Sequence, residues 1–410
     1  MSASRYKWVV VGLLWVAGLL NAVDRHSVFA VFPVLEKDLG MSRVELGLLG
    51  SAFLWAYAAL GPFAGYVGDR FPRRSVIIAS LFAWSVTTAV CGLTQSGLQL
   101  ILLRVALAVS EAFYLPTALA LLSDHHDEST RSKAIAVHLT AMAGGQVAGG
   151  FLGGFMAEHF GWRLLFFVLG GAGVLWVPVL ALTLRAPEAA QGSPSRAVLP
   201  ASPLAAARQL GRIATFRFFA VAFLCYTVVG SIVSTWLPYH LFRSFGMSLT
   251  GAGFSANFYL ELPTLFGNLA GGAAGDHFAV RSFRGRMLTQ AGSLILSAPL
   301  FLAAGFAGSV PQVAASLVLL GFLRGAWAPN VMPVICQIVP ETLRATTYGV
   351  LNCLGNVAGG LAAVLAGAAI GGSLGLGGAI AGCALLYWIA AALLVFAATG
   401  RLQFDYRKGS

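Results

Sequence analysis

The sequence predicts an all-α membrane protein, with twelve transmembrane helices arranged as two pseudo-symmetric six-helix bundles. Three observations carry that prediction. Apolar residues make up 58% of the 410 residues and charged residues only 10%, with a mean hydropathy of +0.80, far from the balance of soluble domains. The apolar residues gather into stretches of about 20 residues or more, the length one bilayer crossing needs. Motifs of the first half also return in the second, as in carriers built from a repeated bundle. No stretch shows the alternating pattern of a membrane barrel strand.

Taken in order, the first stretch covers 8–34. It is too long for a secretory signal, carries Asp24 and Arg25, and has no small-residue cleavage site after a short apolar run, so it reads as a permanent span. The second, 44–67, carries Tyr57 and the four-residue spacing of Gly61 and Gly65; the third is 75–93. The fourth, 98–122, holds Arg104, Glu111 and Pro116. The fifth, 134–159, repeats glycine at Gly145, Gly149 and Gly153, and the sixth is 164–184.

A polar stretch rich in Pro, Ser, Gln and Arg follows, from Arg185 and Pro187 to Arg208 and Arg212. It divides the chain into an N-terminal bundle at 1–184, a cytoplasmic linker at 185–214 and a C-terminal bundle at 215–410. The seventh span is 216–242; the eighth, 250–275, carries Glu261 and glycines at Gly267, Gly271 and Gly275; the ninth is 287–306. The tenth, 313–339, carries Arg324, Pro329 and Pro333, and is the segment expected to kink, because proline removes a backbone donor. The eleventh, 346–370, carries Asn352, Gly355 and Gly359, and the twelfth is 376–399.

The halves echo one another in detail. Gly65, Asp69, Arg70 and Phe71 after the second span find a counterpart in Gly272, Asp276, His277 and Phe278 after the eighth. Glu128 and Arg131 ahead of the fifth span match Glu341 and Arg344 ahead of the eleventh. Small residues four apart let helix backbones approach closely. Stripes at matching places in both halves suggest helix interfaces that slide or part, although static packing explains any one of them.

The formal charge of +11 is topology rather than a nucleic-acid partner. Arg5, Lys7, Arg70, Arg73, Arg74, Arg131, Lys133, Arg185, Arg281, Arg284, Arg286 and Arg344 fall on one side of the spans, and only Lys37, Arg43, Arg163 and Arg243 on the other. That bias places both termini in the cytoplasm. Cys91, Cys225, Cys336, Cys353 and Cys383 lack CxxC spacing, so neither a disulfide framework nor a zinc site is expected. No metal or cofactor is expected, and no nucleotide-binding loop or hydrolytic constellation points to an enzyme.

Six ionisable residues inside apolar stretches point to function: Asp24, Arg25, Arg104, Glu111, Glu261 and Arg324. Each costs about 2.5–3.5 kcal/mol at bilayer depth, and static buried pairs stabilise little. Arg104 and Glu111 stand two turns apart on one helix face, about 10 Å along the axis, so each needs another partner. The expected arrangement is a four-member network, with Asp24 facing an arginine and Arg25 facing Glu111. The match of Arg131 with Arg344 puts Arg324 at the place of Glu111 in the repeat. Glu261 then either neutralises Arg324 or joins it in coupling. His138 reads as a packed residue, and His125 to Glu128 as a solvated turn.

The loop Gly65-x-x-x-Asp69-Arg70-x-x-Arg73-Arg74 resembles the signature between the second and third helices of the major facilitator superfamily, and the duplication extends the resemblance over the whole chain. Pro72 stands where that family usually has glycine. Asn21 to Arg25, Arg104-x6-Glu111 with Tyr114 and Pro116, Trp236 to Tyr239 with Gly246 to Gly253, and Gly349 to Asn356 are similar to motifs of its anion:cation symporter family. The resemblance implies that Arg25 and Arg104 bind an anionic substrate with Tyr57 and Asn352 as neutral contacts, and that Asp24 and Glu111 carry coupling protons. The repeat adds Arg324 as a further substrate-binding charge and Glu261 as a candidate for coupling, and carboxylates beside guanidiniums at cytoplasmic helix ends, Gly65, Asp69, Arg70, Arg73, Arg74 and Asp276, can latch as a cytoplasmic gate. The expectation is a monomeric proton-coupled symporter of a small organic anion, a sugar acid or monocarboxylate, in a bacterial inner membrane. The Spinster-like lysolipid carriers share the Asp-Arg and Arg-x6-Glu pairs, and a sensor that binds without translocating is the third reading.

Overall fold

The computed structural model describes residues 3–127, 130–185, 203–340, 343–370 and 375–401. Most of the predicted linker (186–202), Glu128 and Glu341 of the echoed loops, and the side chains of Gly65 and Asp69 lie outside the described residues. Among the described residues every regular element is helical. In order they are α1 (Ala3–Ala30), α2 (Phe32–Asp38), α3 (Arg43–Arg70), α4 (Arg73–Cys91), α5 (Gly97–Glu111), α6 (Tyr114–His125), α7 (Arg131–His159) and α8 (Trp162–Thr183). They continue with α9 (Pro203–Arg212), α10 (Ala214–Phe245), α11 (Leu249–Arg281), α12 (Gly285–Gly305), α13 (Val310–Arg324), α14 (Ala328–Ile338), α15 (Arg344–Ile370) and α16 (Gly375–Phe396).

Among the described residues, eleven stretches are long and apolar enough to cross a membrane, counting α5 with α6 and α13 with α14 as one each. The predicted eighth span, α11, has the length but not the apolarity, because Asn257, Glu261 and Asn268 interrupt it. With it the helices follow the twelve predicted stretches and form the fold expected from sequence.

The kink predicted for the tenth span is a break, and the fourth span breaks at the matching place. α5 stops at Glu111 and α6 resumes at Tyr114; α13 stops at Arg324 and α14 resumes at Ala328. Pro116 and Pro329 each lack the N–H that would satisfy the carbonyl four residues earlier. Such freed groups survive at depth only with other partners. Side chains take up neighbouring carbonyls around both breaks. At α13–α14, Asn330 Nδ2 donates to Ala326 O at 2.9 Å and to Gly271 O of α11 at 3.0 Å, and Gln290 Nε2 to Trp327 O at 3.1 Å. At α5–α6, Ser80 Oγ donates to Ser110 O at 2.5 Å and Thr117 Oγ1 to Phe113 O at 2.6 Å. The Asn330 side chain thus serves the backbone.

The chain divides into two compact units, residues 1–196 with 246–254, and residues 197–245 with 255–410. In the first, the glycine stripe of α7 lies on α1. A Cβ on Gly149 would stand 2.8 Å from Val23 O, and one on Gly153 would stand 2.4 Å from Ser27 O. In the second, Gly355 and Gly359 of α15 meet Thr227 and Ser231 of α10 in the same way. The α11–α13 crossing is tighter still, with Gly321 against Leu260 O and Gly267 against Phe322 O. These stripes are close-packing surfaces inside each unit.

Candidate functional site

In the first unit, α1 places Asp24 and Arg25 side by side beneath α3, α4 and α5. Arg25 Nη2 donates to Glu111 Oε2 at 3.0 Å, the pairing expected from the spacing. The two ends of that bond differ: the Glu111 side chain is 0% exposed and that of Arg25 is 26% exposed. The Arg25 guanidinium also lies over Tyr57, 4.7 Å from the ring centre, and over Phe53 at 4.8 Å. Phe53 and Tyr57, one turn apart on α3, stack at 6.0 Å. Such cation–π contacts are worth most where water is excluded.

Arg104 comes from α5 and is 1% exposed. Its guanidinium lies 4.7 Å from the Phe53 ring centre, and Nη2 reaches Arg25 O at 3.4 Å. Its Nε and Nη1 have no hydrogen-bond partner among the described residues. Neither do Asn21 Nδ2, Asp24 Oδ1 or Glu111 Oε1, all buried. Buried polar atoms normally find partners, water among them, so these five atoms are where this unit has capacity for a further polar partner or for water.

Asp24 differs from expectation in its partner. Its Oδ2 accepts from Thr88 Oγ1 of α4, and no Lys or Arg nitrogen among the described residues reaches it within 4.0 Å. Arg104 and Arg25 act on it electrostatically from farther away. The physical reason is placement: Arg104 is turned against Phe53, and Arg25 is committed to Glu111. Thr88 and Phe53 escaped the sequence reading. Phe53 carries a signal, lying one turn before Tyr57, whereas Thr88 is a lone hydroxyl in an apolar helix.

In the second unit, Arg324 at the end of α13 donates from Nε to Tyr226 OH at 3.2 Å, and its Nη1 lies 3.6 Å from Glu261 Oε1. Tyr226 of α10 stacks on Trp327 at 4.5 Å and on Tyr387 at 6.0 Å. Asn352 donates to Tyr348 O of its own helix at 2.8 Å.

Three of the residues predicted to gate the cytoplasmic side, Arg73, Arg74 and Asp276, are engaged within their own units. Arg73 pairs with Asp124 of α6, and Arg74 donates to Ala181 O of α8. Asp276 pairs with Arg286 of α12 at 2.5 Å. Arg70 is exposed at the end of α3. His138 is buried against Tyr114, but its ring nitrogens have no hydrogen-bond partner among the described residues. No cluster there of three or more His, Cys, Asp or Glu could hold a metal ion.

Known proteins extend this picture. The sequence profile of the Major Facilitator Superfamily matches residues 14–363. The chain is 30% identical to an MFS-type efflux pump of Mycolicibacterium smegmatis over 68% of this chain and 65% of that protein. It is 24% identical to the hexuronate transporter of Bacillus subtilis over 98% of this chain and 95% of the relative. Its fold matches the crystal structure of a bacterial homologue of the human lysosomal transporter Spinster, with a TM-score of 0.84 over 99% of both chains at 23% identity.

Proposed function

The chain belongs to the major facilitator superfamily, whose members here are membrane transporters and not enzymes, and from that premise we propose that it is a proton-coupled symporter of a small organic anion, working by alternating access. One observation supports this reading: the Arg25 side chain keeps 26% of its surface exposed while its bonded partner Glu111 is wholly buried.

An arriving carboxylate meets Arg25 from the exposed side and competes with Glu111 for the same guanidinium. Fork-shaped, charge-assisted bonds to a substrate carboxylate are well suited to win that competition. Glu111, left in a low dielectric without its counter-charge, takes up a proton. Anion and proton then occupy the unit together. Arg104 supplies further donors that the protein itself leaves unused, and Asp24, held by Thr88, balances its charge. Tyr57 holds the Arg25 guanidinium over the face of its ring.

The similarity to a hexuronate transporter over nearly the whole chain supports a sugar acid as the anion. The basic loops support cytoplasmic termini in a bacterial inner membrane.

A thermal-shift comparison on purified protein tests the substrate class. D-glucuronate and related carboxylates are expected to stabilise the protein, and Arg25→Ala to remove the effect. Stabilisation by lysophosphatidylcholine alone, dependent on tail length, contradicts the anion reading in favour of a Spinster-like lipid carrier.

A further inference from the structure

Resting on that reading, we propose that Glu261 and Arg324 form a second coupling pair, so that two protons accompany each anion. Four observations converge on it. The pair links α11 to α13 in the second unit, and Arg324 closes its half-helix at the place Glu111 closes α5 in the first. The repeat therefore puts an ionisable group at the same break twice, with the sign reversed.

The bond itself is loose on the carboxylate side. At 3.6 Å the contact between Arg324 and Glu261 is a charge contact and not a hydrogen bond. The guanidinium spends its directional bond on neutral Tyr226 at 3.2 Å, and Tyr226 is itself clamped between Trp327 and Tyr387. Arg324 therefore keeps its seat when Glu261 becomes neutral.

The frame around the pair is rigid. Thr264 Oγ1, one turn beyond Glu261, donates to Gly321 O, one turn before Arg324, at 3.0 Å. Gly321 lets α13 approach Leu260 O so closely that a Cβ would stand 2.2 Å away. A charge placed in a fixed crossing of two helices changes its protonation more readily than its position.

Finally, the pair is not sealed. The side chains of Arg324 and Glu261 are 18% and 13% exposed, whereas that of Glu111 in the first unit is 0% exposed. The titratable and charged groups facing Glu261 are Arg324 from α13 and, beyond it, Tyr226 from α10 and Tyr387 from α16. Asp276 lies four turns farther along α11 and is occupied by Arg286.

The number of protons is read as charge. One proton with a monoanion moves no net charge per cycle; two move one positive charge inward. Vesicles containing the protein are offered D-glucuronate without a pH gradient, and a potassium gradient with valinomycin makes the interior about 100 mV negative. For one net charge the accumulation ratio rises by about 50-fold. Glu261→Gln is expected to abolish that response while slower uptake still follows a pH gradient, and Glu261→Asp to restore it. Wild-type uptake that follows the pH gradient but ignores the potential overturns the second pair and leaves the first intact; so does a full voltage response in Glu261→Gln. No acid-driven uptake by the wild type overturns the proposed function, and the second pair falls with it. Because Asp24 is a further buried acid, the wild-type response alone does not assign the second proton; if Glu261→Gln does not fold, Glu261→Asp with a shifted pH dependence of the voltage response supports the second pair, and an unshifted one overturns it.

Discussion

Glu111 and Arg324 each form the last residue of a half-helix, α5 and α13, before a break that a proline imposes a few residues later. Their partners are drawn from different helices. Glu111 is held by Arg25 of α1 at 3.0 Å, and Arg324 by Tyr226 of α10 and, more loosely, Glu261 of α11. The duplicated fold thus keeps one scaffold for an ionisable group and reassigns its sign.

Arg104 is expected to be an anion contact, because its Nε and Nη1 point at no protein acceptor among the described residues. Losing charge-assisted bonds of this kind weakens binding by about tenfold or more. Calorimetry with D-glucuronate checks this on Arg104→Ala. Affinity equal to wild type would assign Arg104 to packing on Phe53 alone.

The α7 stripe sets a strict size limit. Gly153→Val puts side-chain atoms where Ser27 O already stands, and overpacking of this sort costs about 1–3 kcal/mol. The melting temperature in detergent should fall. Gly171→Ala on α8, where a Cβ meets nothing within 4 Å, should leave it unchanged or slightly raised.

Asn330→Ala removes the donor that serves Ala326 O and Gly271 O. Leaving buried carbonyls unpaired costs about 1–3 kcal/mol. The apparent melting temperature is expected to drop, and more than for Asn352→Ala, since Asn352 bonds only a carbonyl of its own helix. Equal losses from the two substitutions would show that the break is not capped by Asn330.

The turn expected to be solvated instead buries His126, 2% exposed between Lys7 and Thr130, and this residue gives the fold a pH dependence at the end of α6. Its Nε2 lies 3.1 Å from Lys7 O and so donates, and Nδ1 lies 3.1 Å from Thr130 Oγ1 and accepts. Burial holds its pKa below the usual histidine value of 6.5, outweighing the bond to Lys7 O that favours the charged form. The folded value is thus the lower one. The stability it contributes is present above about pH 6.5 and is lost as the pH falls through the folded value. Melting temperatures from pH 8 to 5 should fall less steeply for His126→Asn than for wild type.

Much of this was legible because the bilayer simplifies the code. Length and apolarity locate the spans, and the internal echo places Arg324 opposite Glu111. The Arg25–Glu111 pair follows from helical spacing and charge. The break after Glu111 is less legible, because the fourth span carries the single Pro116 whereas the tenth carries two prolines, Pro329 and Pro333. Thr88 could not be assigned to Asp24, since hydroxyls in apolar helices usually bond their own backbone. The preference of Arg104 for Phe53 over Asp24 depends on rotamers fixed by packing, which periodicity does not encode.

The most direct test is proton movement driven by the anion. Adding D-glucuronate to wild-type vesicles in weakly buffered medium is predicted to alkalinise the outside. Glu111→Gln should bind the anion yet produce markedly less alkalinisation. An unchanged pH signal from Glu111→Gln would contradict a coupling role for the Arg25–Glu111 pair.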